Sequence, residues 1–133
     1  MKHIHVTCAI IEKNGKVLST QRSETMSLPL KWEFPGGKIN DEEHPEECLK
    51  RELQEELGIA VVIHRSLATI THHYPSFIIT LYPFVCSITE GEIKLHEHKA
   101  FKWLSPEKLH ELDWAEADFP LIEDYKISLE VSK

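Results

Sequence analysis

Apolar residues recur along this chain in two rhythms. A nearly unbroken run at residues 6–11 is followed by partial alternation over Lys16–Gln21, and Asn14-Gly15 between them is a tight-hairpin dipeptide. Further on, Leu49, Leu53 and Leu57 are spaced four apart, the stripe of a helix that buries one face. Pro45 suits that helix's first turn, and Gly58 suits the position just past its end, where φ is often positive. The spacing therefore predicts a glycine loop at Gly36-Gly37 and then a helix over Pro45–Leu57.

Residues 23–30 are polar and irregular and read as a loop, and residues 32–34 as a short strand leading into the glycines. Residues 60–70 and 77–88 are rich in Val, Ile, Leu and Thr and predict two strands joined by a turn at His72-His73-Tyr74-Pro75. Pro83 falls inside the second run, which predicts an edge strand or a bulge there. Ala100–Leu104 reads as a strand, and Ser105-Pro106 as the start of a short helix. A last helix, starting near Asp118, should turn Leu121, Ile122, Tyr125 and Leu129 inward. Periodicity alone gives a mixed α/β chain.

Composition narrows the class. At 133 residues the chain is expected to form one domain, residues 1–133, with a single core. No apolar run approaches the roughly 18 residues of a membrane span, and the N-terminus enters a strand pattern without a signal peptide. The odd, scattered set Cys8, Cys48 and Cys86 fits reduced thiols in a cytoplasm. A net charge of −7 argues against duplex nucleic acid or an anionic membrane as the main partner. It leaves room for a triphosphate, because bound cations can invert the field inside one pocket.

The chemistry concentrates around the central helix. Glu43, Glu46, Glu47, Glu52, Glu55 and Glu56 crowd a segment whose cations are Lys38, Lys50 and Arg51. On a helical wheel Glu52, Glu55 and Glu56 share an arc of roughly 100° beside the leucine stripe. Like charges so placed repel by a few tenths of a kcal/mol per pair. The arc is either a solvated face or a site for a hard divalent cation, which oxygen ligands suit. Arg51 stands four before Glu55 and is within reach of Glu43. His72-His73 invites a zinc reading but has no third ligand at a supporting spacing; His96-Glu97-His98 again suggests metal, and in a strand its two histidines would share one face with Glu97 on the other.

From Gly37 to Ile59 the segment, with Glu43 and then Arg51-Glu52-Leu53-Gln54-Glu55-Glu56-Leu57-Gly58-Ile59, resembles the Nudix box at every defined position. Trp32-Glu33-Phe34-Pro35-Gly36-Gly37-Lys38 is similar to the lead-in of the MutT subfamily. The likeness extends over the whole chain and is greatest to the CTP pyrophosphohydrolase branch. It implies a Nudix-fold α/β/α sandwich with a mixed sheet. It also implies water attack on a nucleoside triphosphate to give a monophosphate and pyrophosphate, with Mg²⁺, for which Mn²⁺ can substitute. By resemblance Gly36 (carbonyl), Glu52, Glu55 and Glu56 are metal ligands, and Glu97 completes a second site or acts as base. Glu52 or Glu55 takes the water's proton, and Arg51 belongs to the catalytic set. Arg22, Glu33, Phe34, Lys38, Tyr74 and Asp118 are the implied substrate contacts, Lys38 at a phosphate and Tyr74 by stacking or as a plain core residue. The expected partner is the nucleotide, and the chain is expected to act as a monomer or weak dimer.

Base choice rests on Asp118, which stands where 8-oxo-dGTP-clearing relatives carry asparagine. It is either the N-cap of the last helix or a base contact, and the roles are compatible. An ionised aspartate only accepts hydrogen bonds, which suits cytosine N4 and tilts the expectation to cytidine-type and 5-substituted substrates. Held protonated, it would donate, and 8-oxo-dGTP returns as the alternative. Phe77, where some relatives carry a polar residue, also counts against simple guanine recognition. A non-catalytic Nudix regulator would usually have lost one of the helix carboxylates. A nucleotide-sugar hydrolase would need additional binding segments.

Overall fold

A computed structural model describes residues 1–131. Strands β1 (Lys2–Lys13) and β2 (Lys16–Gln21) make the hairpin, and Asn14 and Gly15 both adopt positive φ at its turn. Then follow β3 (Trp32–Glu33), β4 (Gly36–Lys38), helix α1 (Pro45–Leu57), β5 (Ala60–Ser66), β6 (Ile70–His73), β7 (Phe77–Glu90) and β8 (Ala100–Leu104). Two 3-10 segments, Pro106–Glu111 and Glu116–Asp118, lead into helix α2 (Phe119–Val131). Among the described residues no helix is long and apolar enough to cross a membrane.

The sheet is mixed. Its path runs β3-β2-β1-β7-β5, with β4 also on β1, β6 on β7 and β8 on β2. The β1–β7 pair is parallel from Lys2↔Phe77 to Ile11↔Cys86, whereas the other named pairings are antiparallel. A strand buried on both faces needs apolar residues at successive positions, and β1 supplies them. Cys8 and Ile10 face one layer with Leu121, Ile122 and Tyr125 of α2, and Ala9 and Ile11 face the other with Leu49, Leu53 and Leu57 of α1. The result is an α/β/α sandwich. All three leucines are fully buried, each worth about 1.5–3 kcal/mol relative to exposure.

Helix α1 has the expected bounds. The Glu47 carboxylate accepts the His44 N–H at its start, at 3.1 Å, and Gly58, with φ of 69°, donates to the Gln54 carbonyl at its end. Several expectations are corrected. Residues 60–70 break into β5 and β6, and His72 and His73 belong to β6, so the turn begins at Tyr74. Pro83 lies in the central strand β7, not at an edge. Its carbonyl points toward β5 and β6 and accepts the Leu67 N–H at 3.0 Å, so its ring nitrogen meets the gap between those strands, where no ladder donor is needed. Pro106–Glu111 is a 3-10 helix and Ser105 makes no side-chain cap. The 96–98 segment is loop, so its two histidines do not share a face: His98 is buried and His96 exposed. Of the inward residues of α2, Leu129 is only partly buried.

Candidate active site

A cleft of about 510 Å³ opens between the glycine loop, the exposed edge of α1 and the ends of β1, β3 and β7. Its wall is apolar on one side, where Ile4, Val6, Ile79 and Leu81 meet Phe77 and Tyr74, and acidic on the other, where Glu52, Glu56 and Glu97 converge. Of the residues singled out from the sequence, Arg22, Glu33, Phe34, Gly36, Lys38, Glu52, Glu56, Tyr74, Glu97 and Asp118 line it. Glu55 and Arg51 do not: the Glu55 carboxylate is 60 % exposed on the outer flank of the helix.

Close backbone approach explains the two glycines. A Cβ on Gly36 would collide with the Thr7 carbonyl of β1, and one on Gly37 would fall on the Glu52 carboxyl group. The loop is held from below, with Thr7 Oγ1 donating to the Gly37 carbonyl at 3.3 Å and Cys48 Sγ to the Lys38 carbonyl at 3.2 Å. Arg51 braces the far side. Its fork donates to both oxygens of Glu43 (2.8 and 3.0 Å), to Glu52 (3.0 Å), to Glu55 (3.3 Å) and to the Lys38 carbonyl (3.3 Å). Hydrogen bonds from Arg51 hold the Glu43 carboxyl down at a pKa of about 2. The guanidinium therefore ties the loop to the helix and fixes Glu52, which a single ammonium could not do at once.

Glu56 is the anomaly. It is buried, its Oε2 has no hydrogen-bond partner, and burial followed by the charges of Glu52, Glu33 and Glu97 pushes its pKa up to about 9. Glu52 is raised too, first by burial and then, against Arg51, by Glu55 and Glu97. An orphaned buried carboxyl oxygen is costly, and hard oxygen donors gathered beside it are the set a divalent cation takes. The residues present therefore fit such an ion. Among the described residues no three His, Cys, Asp or Glu side chains stand close enough together, as they lie, to hold a metal ion, and Arg51 keeps Glu52 on its own fork. The His72-His73 pair gathers no third ligand either.

At the other end, the buried Asp118 side chain does not cap α2. Its Oδ2 accepts the Phe34 backbone N–H at 3.0 Å, and burial, then the Glu33 charge, raises its pKa to about 8. Tyr74 stacks on Phe77 at 4.9 Å, and its hydroxyl accepts the Ala117 N–H at 3.1 Å, so it is a wall of the cleft with its polar end committed. Arg22 donates to Glu33 (2.8 Å) and to the Ser27 carbonyl (2.6 Å) and hydroxyl (3.0 Å), pinning the 23–30 loop. Sequence reasoning missed His98, whose buried ring donates from Nε2 to Glu33 Oε2 at 2.9 Å. No local signal marks it, since its partner is 65 residues away. The apolar wall from β7, Ile79 and Leu81, was also invisible as a site because it reads as ordinary strand.

Comparison with known proteins agrees with this geometry. Residues 1–125 match the NUDIX domain. The CTP pyrophosphohydrolase of Escherichia coli (strain K12) is 38% identical over 125 residues, covering 94% of this chain and 93% of that protein. An 8-oxo-dGTP diphosphatase of Proteus vulgaris is 41% identical over 99 residues, 74% of this chain and 87% of the relative. The solution structure of the E. coli ORF135 protein superposes with a TM-score of 0.83 at 36% identity, covering 100% of this chain and 94% of that one. With the glycine loop seated on Glu52, the acidic edge of α1 facing the cleft and the NUDIX match running from the first residue into α2, the chain belongs to the Nudix family of hydrolases.

Proposed function

We propose that this Nudix hydrolase cleaves nucleoside triphosphates, with Mg²⁺, to a nucleoside monophosphate and pyrophosphate, in the service of clearing altered nucleotides from the pool. The observation that carries the reading is Glu56, a buried carboxyl with a free oxygen beside Glu52 and Glu97, at the acidic end of a cleft whose other end is apolar. A nucleotide has the same polarity, phosphates at one end and a flat base at the other. The names of the relatives support the substrate class.

Mg²⁺, or Mn²⁺ in its place, would offset phosphate charge and favour deprotonation of the attacking water. Gly36, through its carbonyl, Glu52, Glu56 and Glu97 would hold it, and Glu55 would complete the set from the flank of the helix. Water oxygen bonds to the β-phosphorus, the bond from that phosphorus to the α-bridging oxygen breaks, and the water's proton passes to a carboxylate. Glu52, fixed by Arg51, and Glu55 and Glu97 beside it are the candidate bases. Lys38 brings positive charge to the phosphate path, and Arg22, Glu33 and Phe34 shape the wall between phosphates and base.

For the base, an ionised Asp118 accepts from an exocyclic amine, which favours cytosine-type nucleotides, including 5-substituted ones. The specific observation favouring the second reading, 8-oxo-dGTP, is the burial that raises Asp118 to about 8 and leaves it a donor at neutral pH. At pH 7 such a group is ionised in about one molecule in ten, so amine recognition forfeits roughly tenfold in affinity there. Pyrophosphate release with Mg²⁺ from CTP, dCTP, 5-methyl-dCTP, 8-oxo-dGTP and the ordinary dNTPs tests the reading. Highest kcat/KM on cytosine bases supports the first form, and highest on 8-oxo-dGTP the second. Release from none of them refutes the proposal.

A further inference from the structure

Glu97 sits on the loop that joins β7 to β8, beside Glu52 and Glu56, and a carboxylate on a free loop would swing away from the Glu52 charge. Besides the exposed Lys99–Glu24 ion pair at 2.7 Å, four contacts restrain this loop. Lys94 N–H donates to the Leu57 carbonyl at 2.9 Å and His96 N–H to the Glu56 carbonyl at 3.2 Å, fastening the segment before Glu97 across the end of α1. After Glu97, the Lys99 N–H donates to the Gln21 carbonyl at 2.9 Å. The fourth contact is the His98 ring, whose side chain is fully buried and bonded to Glu33 at 2.9 Å.

Glu33 is equally committed. Its Oε1 takes Arg22 at 2.8 Å while its Oε2 takes His98, so its carboxylate is a joint between two side chains. Nε2 faces a carboxylate, which accepts, so Nε2 donates; Nδ1 on the other side of the ring is buried and has no hydrogen-bond partner. A buried imidazole with one nitrogen unsatisfied costs stability as a packing element. Retaining it makes physical sense if the Glu33 bond does something that an apolar residue of the same volume cannot.

We infer that His98 is a positioning residue: through Glu33 it clamps the 91–99 loop to β3 and holds Glu97 over Glu52 and Glu56. The same joint reaches Arg22, which grips Ser27, so the rim of the base end and the loop of the acidic end are fastened to one carboxylate. The inference rests on the proposed role of Glu97 at the metal-binding end of the cleft.

The test measures Mn²⁺ binding to the free enzyme by electron paramagnetic resonance, with no turnover required. Glu97→Gln is measured beside the wild type. His98→Leu keeps the volume and loses the bond, whereas His98→Gln places an amide donor where Nε2 stood. Outer-shell partners of this kind change metal affinity by roughly 10–100-fold. The expected result is at least about tenfold weaker Mn²⁺ binding for His98→Leu, recovered in large part by His98→Gln, with no further loss when His98→Leu is added to Glu97→Gln. If His98→Leu does not fold, His98→Asn, whose shorter amide cannot reach Glu33, takes its place against His98→Gln. Wild-type Mn²⁺ affinity in the bond-breaking variant, while Glu97→Gln binds weakly, overturns the inference alone. Wild-type affinity in Glu97→Gln overturns it together with the reading of Glu97 on which it rests.

Discussion

Asp118→Asn should make the protein more stable at neutral pH, and the gain should vanish in acid. Asp118 is buried at the wall of the cleft and its pKa is lifted from 3.8 to about 8, chiefly by desolvation. Between those values the folded chain keeps a proton that the unfolded chain has released. The unfolded state therefore binds fewer protons, and stability falls as pH rises across this window, by about 1.4 kcal/mol per pH unit. The loss is absent below the unfolded pKa and complete above about 8. At pH 7 it amounts to something on the order of 4 kcal/mol, a large share of a typical domain's total. Asparagine has no such proton to give up, and its carbonyl can still accept the Phe34 N–H that Asp118 Oδ2 takes at 3.0 Å. Its amide can face the cleft, where water reaches it. Urea unfolding of both proteins at a series of pH values reads the difference as midpoints at constant m. The variant should lead by several kcal/mol near pH 7 and converge on the wild type near pH 4. A difference that does not change with pH, or a variant less stable at every pH, would refute the account of Asp118.

Three further outcomes follow from the same site. Raising the pH through about 8 ionises Asp118, so kcat/KM for cytosine-type substrates should gain on 8-oxo-dGTP in a pH series, and Asp118→Asn should abolish that change of ratio. Gly37→Ala puts a methyl on the Glu52 side chain and not on backbone, so the variant should melt much nearer the wild-type temperature than Gly36→Ala does, yet lose most of its turnover. Gly36→Ala, by contrast, drives a methyl into the Thr7 backbone carbonyl, and thermal melts should show it destabilised by several kcal/mol or unable to fold. Equal behaviour of the two alanine variants in melting and activity would contradict this reading of the glycine loop.

Much of this architecture was legible because it is local. The Leu49, Leu53 and Leu57 stripe with Pro45 and Gly58 fixes α1 to the residue, and Asn14-Gly15 fixes the first hairpin. Local pattern failed where a distant partner decides. Residues 67–69 form no strand because Pro83 offers no N–H to pair with them, and that can be known only once β5 and β6 are seen against β7. Asp118 reads as a helix cap by position but is claimed by the Phe34 N–H, 84 residues earlier in the chain. His98 looked like half of a metal-binding pair, and its partner Glu33 lies on a different strand. In the acidic arc the sequence treats Glu52, Glu55 and Glu56 as equals. Packing separates them into a braced carboxylate, an exposed one and a buried one with a free oxygen.

The central claim is that the carboxylates of α1 perform hydrolysis in this cleft, and Glu52 tests it most directly. It lies beneath Gly37, is held by Arg51 at 3.0 Å and faces Glu56 and Glu97. Glu52→Gln keeps the shape and removes the charge. With the best nucleoside triphosphate and saturating Mg²⁺, kcat of this variant should fall by about three orders of magnitude or more, with an unchanged circular dichroism spectrum. Turnover close to that of the wild type would contradict the account.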